Sequence, residues 1–300
     1  MSDLAIKLLI ENKIEYVKGE LMSKHTSFKI GGKADIYASP KSLEELVSLL
    51  KIGKTANIPV SLVGNGSNLL VSDEGIEGLV VNTLKMKKIA LVSEDEIFAE
   101  AGASLTAVCV FALKHSLAGM EFAYGIPGSV GGAVFMNAGA YGGEMKDIVT
   151  KVQSLDKDLN LVERHLDELG LGYRESIFKT NGEIITGVTL KLKKGDSTEI
   201  SKQMELLMGK RQTSQPLDFG SAGSTFKRPV GYYAAALIDE CGLKGLSVGD
   251  AQVSEKHAGF VINKGKATCS DVLKLIEKIK DTVYTQKGVK LDTEVIFVGR

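Results

Sequence analysis

The chain has 300 residues, with 37 Lys plus Arg against 37 Asp plus Glu, 44% hydrophobic and 25% charged residues. That length corresponds to about two domains of roughly 150 residues each, large enough to bury about three quarters of the unfolded surface. A zero formal charge provides no single-signed field for a nucleic-acid backbone or an anionic membrane, and the composition excludes a disordered or fibrous chain.

The spacing predicts a helix over Leu4 to Ile14. Asp3, Lys7, Glu11 and Lys13 interrupt its apolar residues, so no secretory leader is expected there. Ser42-Leu43-Glu44-Glu45 is a capping-box pattern ahead of a second helix carrying Leu46, Val47, Leu49 and Leu50. Ile58 to Val63 reads as a buried strand that runs into the polar loop Gly64-Asn65-Gly66-Ser67-Asn68. Short strands at Leu69 to Val71 and Gly78 to Val81 are expected after it. Another helix is expected from Ser104 to before Gly119. It contains the longest apolar run, Ala107 to Leu113, far short of the ~18 residues that cross a bilayer.

From Gly119 to Gly143 there are 8 glycines in 25 residues, against 33 in 300 overall, which signals backbone at positive φ or pressed close to something. Strands are expected at Ile148 to Leu155 and Glu183 to Leu192, and a helix from about Thr198 to Lys210. A boundary is placed between Lys193 and Thr198. The last third alternates helix and strand: a helix from Tyr232 to Cys241, a strand through Gly259 to Ile262, and a helix from Ser270 to Lys287 stopped by Gly288. A strand from Val289 to Val298 ends it, with Val289, Leu291, Val295 and Phe297 on one face.

Several chemistries fail on spacing. Gly64 to Asn68 lacks the third glycine of a dinucleotide fingerprint and continues into a strand. There is no GxxxxGK[ST] loop and no GxSxG elbow around Ser129 or Ser224. His25, His115, His165 and His257 stand singly, so no metal site is expected, and Cys109, Cys241 and Cys269 fit reduced structural thiols of a cytoplasmic protein. Two glycine-rich loops remain, Gly64 to Asn68 and Gly125-Ile126-Pro127-Gly128-Ser129-Val130-Gly131-Gly132. Each alone reads as a tight surface turn; together they suit the two ends of an extended dinucleotide held on backbone N–H groups. With no His or Cys between residues 57 and 72, a flavin there is expected to be dissociable. Gly220 to Pro229, Tyr173-Arg174 and Glu294 have plain readings as loop and surface residues. On residues alone, the chain is a cytosolic nucleotide-binding α+β protein.

At these residues the sequence resembles the UDP-N-acetylenolpyruvoylglucosamine reductase family over nearly its whole length. The resemblance rests on Thr26 to Gly32, Val63 to Asn68, Gly125 to Gly132, Asn137-Ala138-Gly139-Ala140-Tyr141-Gly142, Gly172-Tyr173-Arg174-Glu175-Ser176, Ala222 to Lys227, and Thr293-Glu294-Val295. The short interval from Tyr173 to Ile184 matches the shorter, type II form. The chain departs from many relatives in having Ile296, where they carry Arg two positions after the glutamate.

The resemblance implies an α+β fold: a two-lobed FAD-binding module of the vanillyl-alcohol-oxidase type over residues 1–193, with lobes roughly 1–85 and 86–193, then an α+β substrate domain over 198–300. It implies NADPH-dependent reduction, through non-covalent FAD, of the enolpyruvyl ether of UDP-N-acetylglucosamine to UDP-N-acetylmuramate for peptidoglycan synthesis. Ser224 matches the proton donor, Glu294 the C-terminal acid and Arg174 the cation facing the carboxylate. Tyr173, Arg174 and Lys227 would touch substrate. Gly64, Asn65, Gly66, Ser67, Asn68, Gly125, Ile126, Pro127, Gly128, Ser129, Gly131, Gly132, Gly139 and Ala140 would hold FAD. The partners would be small molecules, with no nucleic acid, membrane or obligate protein partner. A flavin oxidase on the same module is the competing reading.

Overall fold

The computed structural model describes residues 2–300. Helix α1 (Ser2–Glu11) leads into strands β1 (Tyr16–Leu21) and β2 (Lys33–Ala38). Helix α2 (Leu43–Ala56) begins where expected: Glu45 N donates to Ser42 Oγ (3.3 Å), while the Glu45 carboxylate accepts from Lys41 N (2.7 Å). Strands β3 (Val60–Val63), β4 (Leu69–Val71), β5 (Ile76–Asn82), β6 (Ile89–Leu91) and β7 (Glu96–Glu100) follow. Helix α3 (Leu105–Lys114), capped by Ser104, buries Leu105, Val108, Cys109 and Ala112. The glycine-rich segment holds β8 (Leu117–Ala118), helix α4 (Val130–Phe135) and a hairpin of β9 (Gly139–Ala140) and β10 (Gly143–Glu144). After it come β11 (Val149–Leu155), β12 (Leu161–His165), β13 (Ile184–Lys191), β14 (Lys193–Lys194) and helix α5 (Ser197–Ser214). The remainder is α6 (Ala234–Glu240), β15 (Ser247–Val248), β16 (Ala251–Val253), β17 (Val261–Asn263), α7 (Cys269–Lys287) and β18 (Ile296–Val298).

Packing divides the chain into two compact units, each made of three separate stretches. The first comprises residues 2–16, 38–65 and 81–211. Its centre is an antiparallel sheet in the order β12-β11-β13-β7-β6. Helix α4 packs on β13 and β7, and the core gathers Ile97, Val108, Val130, Val134, Val152, Val188 and Leu190. Ile200 and Met204 of α5 belong to the same core, so α5 packs with the chain before the Lys193 to Thr198 segment.

The second unit comprises residues 17–37, 66–80 and 212–300. Here β1, β2 and β5 lie side by side in that order, and β15-β16-β17 form an antiparallel sheet. Strand β18 runs parallel to β4, with Ile296 opposite Leu69. Phe28, Leu70, Phe226, Ile238, Val261, Leu275, Ile279 and Leu291 share its core. Helix α7 has a complete capping box, Thr268 with Asp271, and stops at Gly288 in the left-handed conformation (φ 70°).

The strand expected from Val289 to Val298 is a strand only at Ile296–Val298. Leu291 and Val295 are buried as their alternation requires, but the chain around Thr293 bridges to Phe226 in a loop instead of to a regular ladder. Phe297, placed on the same face, is instead exposed. Among the described residues no helix is long and apolar enough to cross a membrane, and no His/Cys/Asp/Glu group has the makings of a metal site.

Candidate active site

In the first unit the start of one glycine loop meets the other. Gly64 directly follows β3, and a Cβ on it would lie 2.3 Å from Ser129 Oγ, so only glycine permits this approach. Asn65 Nδ2 donates to Pro127 O (2.8 Å), and Asn82 Nδ2 donates to Gly64 O (3.1 Å). Ser129 is buried and caps α4, accepting from Gly132 N (3.4 Å). Gly131 lies against Ala101: a Cβ there would fall 2.8 Å from the Ala101 Cβ.

Five amides of the loop expected to cradle a pyrophosphate are engaged inside the protein. Ile126 N donates to Ala123 O (3.0 Å), Gly128 N to Ile126 O, Val130 N to Ala103 O and Gly131 N to Ala101 O, the last three at 2.8 Å, and Gly132 N serves the cap. These glycines therefore contribute close packing. Beside Gly125 the solvent-shielded, unbonded Nε of Arg211, described below, is a donor that an anion could accept from.

The segment 137–144 forms the second feature of this unit. Tyr141 (φ 54°) and Gly142 (φ 90°) make a tight two-residue turn joining β9 to β10. Asn137, fully buried and at φ 40°, holds it: its Nδ2 donates to Glu144 Oε2 (2.6 Å) and Gly172 O (2.8 Å), and its Oδ1 accepts from Lys146 N (2.9 Å). Gly172 and Glu175 exchange both backbone hydrogen bonds, which makes Tyr173 and Arg174 the two residues of a turn. Arg174 sits at φ 57°, an uncommon conformation for a residue with a Cβ, and its guanidinium lies 5.1 Å from the centre of the Tyr173 ring. Arg174 Nη2 also reaches Gly139 O at 3.5 Å, so the expected residues Gly139, Ala140, Tyr173 and Arg174 come together.

Arg211 was not among the expected residues. It lies in the last turn of α5, its Cδ 2.8 Å from where a Gly125 Cβ would be, and its Nε is shielded from solvent without a hydrogen-bond partner. Burial pushes this guanidinium below its ordinary pKa, with Tyr141 opposing the shift. A lone Arg between Lys210 and Gln212 near the end of a polar helix gives no sequence signal.

In the second unit the pairing of two loops brings Ser224 and Glu294 to neighbouring positions. Glu294 N donates to Thr225 O (2.9 Å) and Lys227 N to Asp292 O (2.8 Å), around the Phe226–Thr293 bridge. Thr225 is buried and pinned on both sides, donating from its N to Gly259 O (2.8 Å) and accepting at Oγ1 from Val261 N (3.0 Å). Ser224 is half-buried, its hydroxyl 3.3 Å from Phe226 O, and Gly223 before it (φ 75°) has open space where a Cβ would stand. Asn68 is tied to this place: its Nδ2 donates to Glu294 O (3.0 Å) and its O accepts from Ile296 N (2.9 Å). Gly66 (φ 61°) packs on the backbone of His25, where a Cβ would fall 2.1 Å from the carbonyl oxygen. Ile296 thus occupies the start of β18.

A sequence model described as a FAD binding domain matches residues 34–163. With the α+β architecture, this defines a protein built on a FAD-binding domain. A second model, described as the UDP-N-acetylenolpyruvoylglucosamine reductase C-terminal domain, matches residues 215–298. The reductase of that name from Clostridium tetani is 49% identical over 296 residues, covering 98% of this chain and 96% of that protein. The one from Caldanaerobacter subterraneus is 50% identical over 280 residues, covering 93% and 92%. The crystal structure of the Thermus caldophilus reductase superposes with a TM-score of 0.81 at 36% identity, over 95% of this chain and 98% of that one. The chain belongs to the UDP-N-acetylenolpyruvoylglucosamine reductase family; it is an oxidoreductase that uses FAD and NADPH in peptidoglycan precursor synthesis.

Proposed function

We propose that Ser224 delivers the proton, with Glu294 polarising it, and that Arg174 stabilises the charge developing on the substrate as the enolpyruvyl ether of UDP-N-acetylglucosamine is reduced to UDP-N-acetylmuramate. The observation that supports this reading is the backbone pairing of residues 225–227 with 292–294, which sets Thr225, the residue after Ser224, against Glu294. FAD, when bound, supplies the two-electron relay between NADPH and the enolpyruvyl group. Reduction at the β-carbon places negative charge on the α-carbon and its carboxylate. A guanidinium suits that charge because it stays ionised and pairs with a carboxylate through two parallel N–H donors. Its position in a tight turn, backed by Tyr173 and by the Asn137 network, supports a fixed orientation. Ser224 then faces a carbanion basic enough to take the proton of an ordinary hydroxyl.

The functional division in this reading follows residues 1–193 for FAD, with lobes roughly 1–85 and 86–193, and 198–300 for the UDP-sugar. Asn65 with the loop of Gly125 to Gly128 would hold the diphosphate; Lys227 and Tyr173 would touch substrate. Balanced charge and three free cysteines support a cytoplasmic enzyme whose partners are small molecules, without a nucleic-acid, membrane or obligate protein partner.

Arg174→Lys tests the assignment, since it keeps the charge and removes the planar fork. Stopped-flow oxidation of the reduced flavin by substrate is expected to slow by orders of magnitude while reduction by NADPH is spared. Equal damage to both half-reactions would make Arg174 a structural residue.

A further inference from the structure

We infer that Arg211 is a cofactor ligand supplied from outside the matched FAD-binding segment, holding the diphosphate of FAD against the Gly125 loop. The inference rests on the family reading and adds a residue to it. Helix α5 packs through Ile200 and Met204 into the core of the first unit, so the helix end that carries Arg211 is fixed there. The stem of Arg211 fills the place of a Gly125 side chain, with Met208 Cε 3.5 Å from the same point. A guanidinium with a solvent-shielded, unbonded Nε and no carboxylate paired to it among the described residues is poorly compensated. An anion is what completes it.

The anion's identity follows from the neighbours. Gly125 to Ser129 is the loop that Asn65 grips through Pro127 O and that Gly64 touches at Ser129. The amides of Val130, Gly131 and Gly132 in its second half are already spent within the protein, so backbone donors alone give an incomplete cradle. One fixed guanidinium offers five N–H donors and a formal charge, which suits diphosphate oxygens.

The test compares wild-type holoenzyme with Arg211→Gln, Arg211→Met and Arg211→Lys. Free FAD is measured by flavin fluorescence on dilution, together with the temperature at which flavin is released. Removing hydrogen bonds to a charged group is expected to raise the FAD dissociation constant by about tenfold or more in the Gln and Met variants, and less in Lys. With FAD saturating, KM for NADPH and for the enolpyruvyl substrate is expected to stay unchanged. Unchanged FAD retention overturns the inference, as does a raised KM for NADPH or for substrate with FAD held normally, since the phosphate would then belong to that ligand. Misfolding of both Gln and Met variants also overturns it, by making Arg211 structural. A wild-type protein that binds no FAD would instead sink the family reading, so the two failures are distinguishable.

Discussion

Gly64 and Gly131 of the first unit and Gly223 of the second work in opposite ways. In the first unit Gly64 and Gly131 are pressed against Ser129 and Ala101, so the absence of a side chain creates the close approach. In the second unit Gly223 has open space around it and is needed for its left-handed backbone, which turns the chain into Ser224. The first arrangement makes close packing of two loops possible, whereas the second sets the backbone turn ahead of a loop pinned at Thr225. The contrast teaches that glycine enrichment alone, as in residues 119–143, says nothing about which of the two is in force.

The largest expected effect separates chemistry from packing. Ser224→Ala removes an interaction made in the transition state, so flavin content, NADPH reduction and substrate binding should persist while reoxidation by substrate falls by at least ~10²-fold. Ser221→Ala is expected to cost far less, because Ser221 has no proton to deliver in this assignment. Single-turnover rates of the two variants decide it, and a larger defect at Ser221 would move the donor to that hydroxyl.

Next comes Gly64→Ala, which forces a methyl group into Ser129 Oγ, the cap of α4. Overpacking of this kind costs about 1–3 kcal/mol, and FAD retention should drop with it. Gly223→Ala meets no atom and pays only for its φ of 75°; about 1 kcal/mol is expected, with FAD retained. Urea unfolding and flavin content of the pair measure both halves, and equal loss of FAD in the two would break the contrast.

A smaller effect concerns pH in the second unit. Burial lowers the pKa of His257, whose Nδ1 accepts from Gly259 N (3.1 Å) beside the Thr225 contact. The folded protein therefore favours the neutral ring. Its stability contribution is present above the unfolded value of about 6.5 and is lost as pH falls through the lower folded value. Urea midpoints from pH 8 to pH 5 should show this slope in wild type and a shallower one in His257→Gln; identical slopes would remove His257 from the account. Smallest of all is thiol reactivity: burial pushes Cys109 and Cys269 up to about 12, while Cys241 is only half-buried. A disulfide reagent should titrate one thiol in the native protein and three after unfolding.

Local signals were legible where a few neighbouring residues decide the structure. Ser42, Ser104 and Gly288 end or start helices through their own side chains or their lack of one, and all three sit where the sequence places them. Helix α4 was hidden because Gly131 and Gly132 lower helix propensity; its only cue is Ser129, whose cap succeeds because Ala101 and Gly64 pack around it. The terminal strand was overextended for another reason. Leu291 and Val295 are buried, so the alternation is real, but their backbone pairs with a loop near Phe226, a partner 67 positions earlier than Thr293 that no local pattern reveals. Motif residues identified by family resemblance fell into two local groups, Gly139 with Arg174 and Thr225 with Glu294, whereas Arg211 depends on where α5 packs and carries no motif of its own.

The parallel pairing of β4 with β18, Leu69 opposite Ile296, also sets the order of events during synthesis. Strand β4 leaves the ribosome more than two hundred residues before its partner exists. Until then its edge lacks the partner it has in the folded chain. Contacts this distant close large loops and form late, so the nascent chain must shelter an apolar Leu69-Leu70-Val71 edge for most of its translation. A chain truncated before Ile296 is thus expected to be a substrate for chaperones and proteases, which makes β18 the checkpoint for folding of the second unit.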